Sequence, residues 1–522
     1  MKNLKVLDLA NCQCLRRTPN FFAHSNLERL ILSRCESLME IDRSICQLKR
    51  LVFLDVSYCW QLQRLPTELG GLARLKYLSL RNCESLKRLP STIGNLKALT
   101  KLDISCMSIK ELPDSIGKLK NLKVVKLQES DISKIHDAFW MMKKLEKIKI
   151  VGKKYPLESF YVEIGDCIYK NKSLRILRLG QVRIHAIPRL PKSLIELKLW
   201  ELHMDTCPDI SNLTNLKVLY LSFRPRNCDG KSKGLREEPI PRWIGNLSKL
   251  ESLTLLFHWE TSSWTDCYLS HPRRLPRLPP SLSSIRVEGC DSLCSMDLSN
   301  LRKLSSLWIS HSAVAEIQGL GCLKNLRDLV LHHLKLAMLP DLSKLNKLRL
   351  IRVRECGNLV EIQGELPRFL DRLEIYLSPF LQQLPDLFSL MGKTDVEISW
   401  CNQVLEDAVM DRHRLLLRGF RQMQILPDLS NLNELKFLQV ENCGNLVEIQ
   451  GELPQSLEVL RIESCESLQN LPDLSSLKGL RKVTIRRCRK LVLEEICQLC
   501  SQKSLEFVGE DNEYGTLHLE AS

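Results

Sequence analysis

The 522-residue sequence has no run of eighteen apolar residues, which is about the length that a helix needs to cross a bilayer. It contains neither H-E-x-x-H nor G-x-S-x-G, the patterns of zinc proteases and of many hydrolases. It also lacks a polybasic tail, although 76 Lys and Arg against 61 Asp and Glu give a net charge of +15. We therefore expect no membrane span, no enzyme activity, and no catalytic, cofactor-binding or metal-binding residue.

The sequence does contain a short pattern that recurs along the chain. In LKYLSLRNCESLKRLPSTIGNL, residues 75–96, Leu78 and Leu80 alternate with polar or aromatic residues. Alternation with period two predicts a short strand with one buried face. Pro90 blocks a continuing helix or ladder, and Gly94 allows the chain to bend back. Each unit is therefore predicted to be a strand followed by an irregular or 3₁₀-like return.

The first leucine of this pattern returns at a nearly constant interval. The steps are 23 or 24 residues in the first part of the chain, at Leu4, Leu27, Leu51, Leu75, Leu99, Leu122 and Leu145. They are 22 residues further on, at Leu282, Leu304, Leu326, Leu348 and Leu370. This period and the L-x-x-L-x-L-x-x-C spacing are the leucine-rich-repeat signature, with about 21 units.

A single unit buries too little apolar surface to offset the entropy of ordering its chain, so neighbouring units must share one core. The predicted fold class is α/β. We expect a leucine-rich-repeat solenoid, horseshoe-shaped, with a parallel concave β-sheet and a mostly irregular or 3₁₀ convex side.

The spacing divides the chain into four parts. Residues 1–500 form the repeat array, regular over 1–145, irregular over 146–281 and tightly spaced at 22 residues over 282–500. The last part contains a duplication, since PDLSKLNKLRLIRVRECGNLVEIQGELP from Pro340 reappears as PDLSNLNELKFLQVENCGNLVEIQGELP 87 residues later, from Pro427. Residues 501–522 turn acidic and polar and are predicted to be a C-terminal cap or tail.

Ten of the 21 cysteines stand at one position, where a unit leaves its strand. A small side chain is needed there to fill an inward gap while donating a weak hydrogen bond. Reduced structural thiols are the main interpretation, and disulfides between neighbouring units or a metal site are the alternative. The cysteines at this position are Cys12, Cys35, Cys59, Cys83, Cys290, Cys356, Cys401, Cys443, Cys465 and Cys488.

Residues beside the inward leucines form the predicted concave surface. Solvent-facing strand positions are usually polar, which accounts for cations there but not for large aromatic residues. We therefore predict a partner-binding surface made of Lys126, Lys147, Lys149, Arg178, Lys198, Trp200, Tyr220, Trp308, Arg352, Arg354 and Tyr376.

Two long units carry insertions near residues 224–239 and 257–280. The first is polar, and the second combines aromatic and arginine residues, which dominate binding hot spots. Its candidate residues are Trp259, Trp264, Tyr268, Arg273 and Arg274. These side chains bind a partner together with the concave surface, or they pack their own loop against the convex side.

LKVLDLANCQCLRRTPNF, NLERLILSRCESLMEI and LKRLPSTIGNLKALTKLDIS resemble the repeats of plant intracellular immune receptors of the TIR–nucleotide-binding–leucine-rich-repeat (NLR) class. The return C-x-x-L-x-x-L-P-x-x-I-G-x-L is the most specific part of this resemblance. It implies a protein-recognition module that senses pathogen effectors or restrains a nucleotide-binding switch. The family's nucleotide-binding loop and NAD-cleaving domain have no counterpart here, so those activities are not implied.

The resemblance implies protein partners: a pathogen effector, a host guardee, or the nucleotide-binding and TIR domains of the same or a related receptor. No DNA partner is expected, and the expected location is the cytoplasm, with the nucleus as a second compartment. A cytosolic scaffold or ubiquitin-ligase adaptor is the alternative function, followed by RNA or anionic-lipid binding through the basic residues. Because Leu4, Leu7 and Leu9 already belong to a repeat, we expect an upstream segment to cover them.

Overall fold

The computed structural model describes residues 4–152, 162–182, 184, 187–200, 209–223, 242–257, 273–378, 380–381, 395–401, 406–410, 413–419, 423–502, 505–511 and 515–519. The chain divides into two units. Unit 1 comprises Met1–Ser270 and Pro276–Leu282, and unit 2 comprises His271–Leu275 and Ser283–Ser522.

Unit 1 consists of successive coils whose short strands form a parallel sheet. Its strands are β1 Val6–Asp8, β2 Arg29–Ile31, β3 Phe53–Asp55, β4 Tyr77–Ser79, β5 Lys101–Asp103, β6 Val124–Gln128, β7 Lys134–Ile135, β8 Lys147–Val151, β9 Glu163–Ile164, β10 Ile176–Gly180, β11 Glu196–Trp200, β12 Val218–Phe223 and β13 Ser252–Phe257. All except β7 and β9 belong to the main sheet, in chain order, and β7 pairs with β9 on the return side.

Unit 2 repeats this arrangement. Its strands are β14 Ser284–Glu288, β15 Ser295–Asp297, β16 Ser306–Ser312, β17 Glu316–Gln318, β18 Asp328–Leu334, β19 Met338–Leu339, β20 Leu350–Arg354, β21 Glu361–Ile362, β22 Arg372–Tyr376, β23 Asp395–Cys401, β24 Glu406–Met410, β25 Arg414–Arg418, β26 Ile425–Leu426, β27 Phe437–Glu441, β28 Glu448–Ile449, β29 Val459–Glu463, β30 Lys482–Arg486, β31 Glu506–Asp511 and β32 Gly515–Leu519. The pairs β15–β17, β19–β21 and β26–β28 form small parallel ladders on the return side.

The inward leucines are fully buried in both units, as at Leu78 and Leu80 in one coil and Leu329 and Leu331 in another. Such residues of adjoining strands lie in register, so the coils that the structure describes share one core within each unit. The leucine-rich-repeat fold with its parallel sheet is therefore confirmed.

Cysteine closes the gap at the end of the strand, as its position predicted. The thiol of Cys59 donates to Leu32 O at 3.1 Å, and that of Cys83 donates to Val56 O at 3.1 Å, each reaching a carbonyl of the preceding coil. The cysteines whose side chains the structure describes form no disulfides with one another. Burial raises the pKa of the Cys83 thiol to about 12, which keeps it protonated and able to donate.

The residue before this cysteine bends the chain out of the strand with a left-handed backbone. Its φ is 59° at Asn82, 61° at Tyr58 and 52° at Glu355. Asparagine adopts this conformation readily, but tyrosine and glutamate do so at a steric cost. The turn is therefore imposed by the stacking of coils rather than by local preference.

The return side is built largely of 3₁₀ turns, which confirms the expectation for the convex side. These are Arg43–Gln47, Thr67–Gly71, Ser91–Asn95, Asp114–Lys118, Asp166–Lys170, Arg242–Asn246, Leu320–Cys322 and Leu474–Ser476, with two α-helices, α1 Asp137–Trp140 and α2 Leu493–Gln502. A proline precedes several of them, such as Pro90 with φ −64° and ψ 144°. Gly94 is required because a Cβ there would lie 2.9 Å from Ser115 Cβ and closer still to the Ser115 carbonyl oxygen.

In the duplicated block, an aspartate of one coil fits against a glycine of the next. Asp428 Oδ1 accepts hydrogen bonds from Ser430 N at 2.9 Å and from Glu452 N at 3.2 Å. Gly451, with φ 69°, leaves the space for that carboxylate, since a Cβ there would lie 2.5 Å from Asp428 Cγ. Asp341 and Gly364 repeat this fit, with φ 71° at the glycine.

The sheet of unit 2 departs from the uniform parallel ladder at β24. This strand runs antiparallel to both β23 and β25, and a register shift interrupts β23 between Ile398 and Cys401. The sequence there lacks the regular leucine spacing, so one coil is replaced by a strand of opposite direction. Beyond the predicted array boundary at residue 500, β31 still pairs in parallel with β30, and β32 returns antiparallel to it.

Candidate functional site

We call the face of the main sheet that points away from the leucine core the open face. In unit 1 it carries the candidate residues in register across adjoining strands. Lys126 of β6 lies beside Lys149 of β8, which lies beside Arg178 of β10 and then Lys198 of β11 and Tyr220 of β12. The structure therefore brings four of the five predicted cations of unit 1 into one column; the fifth, Lys147, lies two residues earlier on β8, in register with Val124 and Ile176.

Two carboxylates lie among these cations. Asp103 of β5 is 4% exposed, and its Oδ2 accepts from Lys126 Nζ at 2.9 Å. Glu196 Oε1 accepts from Arg178 Nε at 2.7 Å and lies 3.6 Å from Lys198 Nζ. Lys126, Arg178 and Lys198 thus each have a partner on an adjoining strand or on their own.

Lys149 is the exception in this column. It is half-buried, and no ion pair joins it to any residue that the structure describes. Burial, followed by the positive charges of Arg178, Lys126 and Lys147, lowers the pKa of the Lys149 amine below its usual range. The open face therefore concentrates positive potential at this one side chain.

Trp200 has room to lie beside the cations because its neighbour on the adjoining strand is a glycine without a side chain. It lies in register with Gly180 of β10, and a Cβ on that glycine would fall inside the indole ring. The ring therefore covers the backbone of the adjoining strand and is half-exposed. A fixed aromatic surface next to cations is the composition found at the centre of many protein interfaces.

The candidate arginines of unit 2 are bound to an internal carboxylate. Glu374 is 1% exposed. It accepts hydrogen bonds from Arg352 Nε at 2.6 Å and Arg354 Nη2 at 2.9 Å, and its Oε1 forms an ion pair with Arg372 Nε at 2.8 Å. The hydrogen bond from Arg352 is the largest cause that lowers the pKa of Glu374, to about 2. Arg352 and Arg354 thus hold a buried anion as well as lining the open face.

The candidate aromatic residues of unit 2 are each covered by an arginine. The Arg286 guanidinium lies 4.3 Å from the Trp308 ring centroid, and that of Arg354 lies 4.8 Å from the Tyr376 ring centroid. Arg286 is itself fixed by Glu288 at 2.8 Å. These rings are half-buried parts of cation–π stacks.

The insertion residues are only partly within the described structure. Trp259, Trp264 and Tyr268 lie outside the described residues, as does all of the first insertion, 224–239. Arg273 and Arg274 are exposed and lie in unit 2, where Cys294 N donates to Arg273 O at 3.0 Å and Arg274 bridges to Ser295. Their backbone thus continues the small ladder that begins at β15.

The sequence reasoning missed an aromatic stack on the open face of unit 1. Phe53 and Tyr77 stack in parallel with centroids 4.5 Å apart. Arg29 lies 4.0 Å from the Phe53 ring and Lys101 lies 5.0 Å from the Tyr77 ring, so a cation closes the stack at each end. The sequence contained a pattern that predicts this stack, because Phe53 and Tyr77 occupy the same position in units 24 residues apart.

A histidine cluster was also missed. His311 contacts both His332 and His333, with ring centroids 4.8 Å and 5.2 Å away. Glu355 lies 3.1 Å from His332 Nε2 and 3.4 Å from His333 Nδ1. Within the described residues, no group of three or more His, Cys, Asp or Glu side chains has an arrangement suited to a metal ion.

Across the described part of the chain, every helix is too short or too polar to cross a bilayer.

Comparison with known families places leucine-rich repeats in the first third of the chain. A model described as a leucine-rich repeat region matches residues 54–180, and one described as Zer-1-like leucine-rich repeats matches residues 1–68. Each match covers part of the array.

Among curated proteins, the chain is similar to disease resistance proteins of Arabidopsis thaliana. It is 34% identical to disease resistance protein RPS4B over 267 residues, which cover 50% of this chain and 20% of that protein. It is 26% identical to disease resistance protein RPP2A over 219 residues, which cover 41% of this chain and 16% of that protein. The matched segments thus span about a fifth or less of those two relatives' own length.

Solved structures support the fold. YopM from Yersinia enterocolitica aligns over 92% of this chain and 91% of its own, with a TM-score of 0.50 and 20% identity. A chain of the Drosophila Toll–Spatzle complex aligns over 94% of this chain and 72% of its own, with a TM-score of 0.50 and 13% identity. At these identities the likeness concerns the repeat architecture alone.

Proposed function

Because the chain is a leucine-rich-repeat region similar to those of plant disease resistance proteins, we propose that it is a non-enzymatic protein-recognition module of plant immunity. In this role it senses a pathogen effector or a host guardee, or it restrains the nucleotide-binding and TIR domains of the same or a related receptor. The proposed location is the cytoplasm, with the nucleus as a second compartment.

The observation that carries this proposal is the open face of unit 1. Its outward side chains stand on strands locked in register, so their positions are fixed before a partner arrives. Lys149, Lys198 and Trp200 remain half-exposed there. A preformed surface of cations and a fixed indole suits protein recognition, because aromatic rings and arginine are enriched at binding hot spots and lysine stems cover apolar surface while their amines stay charged.

The test compares three forms of the full chain by proximity labelling in leaf tissue, with and without pathogen challenge. The face variant carries Lys149→Glu, Lys198→Glu and Trp200→Ala. A matched control carries the same changes on exposed residues of the return side, Lys118→Glu, Lys144→Glu and Tyr169→Ala. Circular dichroism and thermal unfolding check that both variants fold.

We expect the face variant to lose the proteins labelled specifically by the wild type, while the control retains them. Identical labelling by all three forms would remove the open face of unit 1 as the recognition surface. Labelling dominated by a ubiquitin-ligase core, with no immune-receptor domain or pathogen protein, would favour the adaptor alternative instead.

A further inference from the structure

The charge on the open face of unit 1 is unbalanced at one place. On the five strands β5, β6, β8, β10 and β11 of the main sheet, six cations face outward, and two carboxylates lie among them. The cations are Lys101, Lys126, Lys147, Lys149, Arg178 and Lys198, and the carboxylates are Asp103 and Glu196, which leaves a local charge of six minus two, or +4.

Ion pairs with the two carboxylates neutralise only some of these cations. The two carboxylates contact Lys126 and Arg178 at 2.9 and 2.7 Å, on either side of Lys149. The Lys149 amine lies between these two pairs in the column and has no ion-pair partner among the residues that the structure describes. A half-buried ammonium surrounded by other cations is destabilised in the free protein and stabilised when an anion approaches.

We propose that Lys149, with Lys126 and Arg178 on the adjoining strands, receives one carboxylate from an Asp or Glu side chain of a protein partner. The inference rests on the proposed function, since it specifies the chemistry of the same face. Trp200 lies over Gly180, two residues further along the strands than Lys198 and Arg178, where its indole offers an apolar contact beside the anion. The partner segment therefore combines an acidic residue with an apolar neighbour.

The same geometry disfavours a nucleic acid. Binding to a phosphate backbone depends on several neutralised phosphates in succession. Here a carboxylate lies on each side of Lys149 in the sequence of strands, Asp103 on β5 and Glu196 on β11. These two groups would repel a second and third phosphate, whereas a single carboxylate avoids them.

The probe is a fluorescein-labelled peptide, acetyl-(Glu-Trp-Ala)₃-amide, followed by fluorescence anisotropy with the full chain. Its neutral counterpart, acetyl-(Gln-Trp-Ala)₃-amide, and a ten-nucleotide single-stranded RNA are measured in parallel. The test variant is Lys149→Met, which keeps the length of the side chain. The matched control is Lys144→Met, because Lys144 is exposed on the return of the same coil and donates to Asn121 Oδ1 at 2.7 Å.

We expect the acidic peptide to bind the wild type about tenfold or more tightly than the neutral peptide, as charge-assisted hydrogen bonds allow. Lys149→Met should remove this preference and Lys144→Met should retain it. The melting temperature of Lys149→Met should be equal to or above that of the wild type, because the substitution removes repulsion. This last readout distinguishes loss of the site from loss of the fold.

Equal binding of the acidic and neutral peptides, or an unchanged preference in Lys149→Met, would overturn the proposal. Tighter binding of the RNA, with a salt dependence that corresponds to several phosphates, would overturn it in favour of nucleic acid. If the face variant above loses its labelled partners while Lys149→Met keeps them, the anion site is wrong and the proposed function stands.

Discussion

Replacement of the buried carboxylate of unit 2 should measurably loosen the coils around it. Glu374 is 1% exposed; it accepts hydrogen bonds from Arg352 and Arg354 and forms an ion pair with Arg372, and these contacts lower its pKa from 4.5 to about 2. The difference corresponds to about 3 kcal/mol at 1.36 kcal/mol per pKa unit. Because Arg354 and Arg372 are 43% and 54% exposed, solvent screens part of it, and about 2–3 kcal/mol remains.

Glu374→Gln keeps the shape of the side chain but leaves three guanidinium groups without their anion. Repeat arrays open locally, so the assay is hydrogen exchange by mass spectrometry on peptides that cover β20 and β22. A loss of about 2–3 kcal/mol predicts an opening constant about 30- to 150-fold larger at pH 7. Glu365→Gln is the matched control, because Glu365 is exposed and close in sequence; its exchange should be unchanged.

The pH dependence has a definite sign. The pKa of Glu374 is lower in the folded protein than in the unfolded chain, so its stabilisation is fully present above about pH 4.5 and is lost as the pH falls toward 2. The difference between wild type and Glu374→Gln should therefore shrink toward zero near pH 2. Equal exchange at pH 7, or a difference of the same size at both pH values, would refute this reasoning.

Two further predictions concern the packing of the coils. Gly94→Ala should destabilise unit 1 by about 1–3 kcal/mol, because the added Cβ would lie 2.9 Å from Ser115 Cβ. Gly444→Ala is the control and should not destabilise the protein, since nothing lies within 4 Å of a Cβ at that position. Equal melting temperatures for the two variants would contradict this prediction. Iodoacetamide at pH 8 should alkylate the exposed Cys12 well before the buried Cys59, because burial raises the pKa of the Cys59 thiol and the thiolate is the reactive form. The two rates are measured by mass spectrometry. Comparable rates would contradict the prediction and show that the coil around Cys59 opens freely.

The sequence determines the fold because each buried position repeats. Once Leu75, Leu78 and Leu80 are placed on one face, the period of about 23 residues requires every equivalent leucine to join the same core. The cysteine position and the 3₁₀ return follow from the same repetition. At β24 the spacing fails, and nothing in the local pattern indicates that a strand would run in the opposite direction.

The open-face residues were predictable as positions but not as interactions. Register puts Asp103 beside Lys126 and Glu196 beside Ile176, diagonal to Arg178, but only side-chain rotamers decide which cation each carboxylate contacts. Lys149 differs from these cations because, among the described residues, no carboxylate pairs with it once Asp103 and Glu196 have formed their own pairs. A pattern that assigns each residue to a face cannot rank neighbouring cations, since their difference lies in distances of a few ångströms.

The aspartate–glycine fit in the duplicated block restricts how such an array can grow. The carboxylate of Asp428 and the glycine that accommodates it, Gly451, are 23 residues apart and lie in successive coils, as are Asp341 and Gly364. A crossover within that interval would set a carboxylate against a side chain and leave a backbone amide without its acceptor. Recombination therefore preserves the packing only when the exchanged segment carries both the aspartate and its glycine. Each copy of the duplicated block contains its own aspartate–glycine pair.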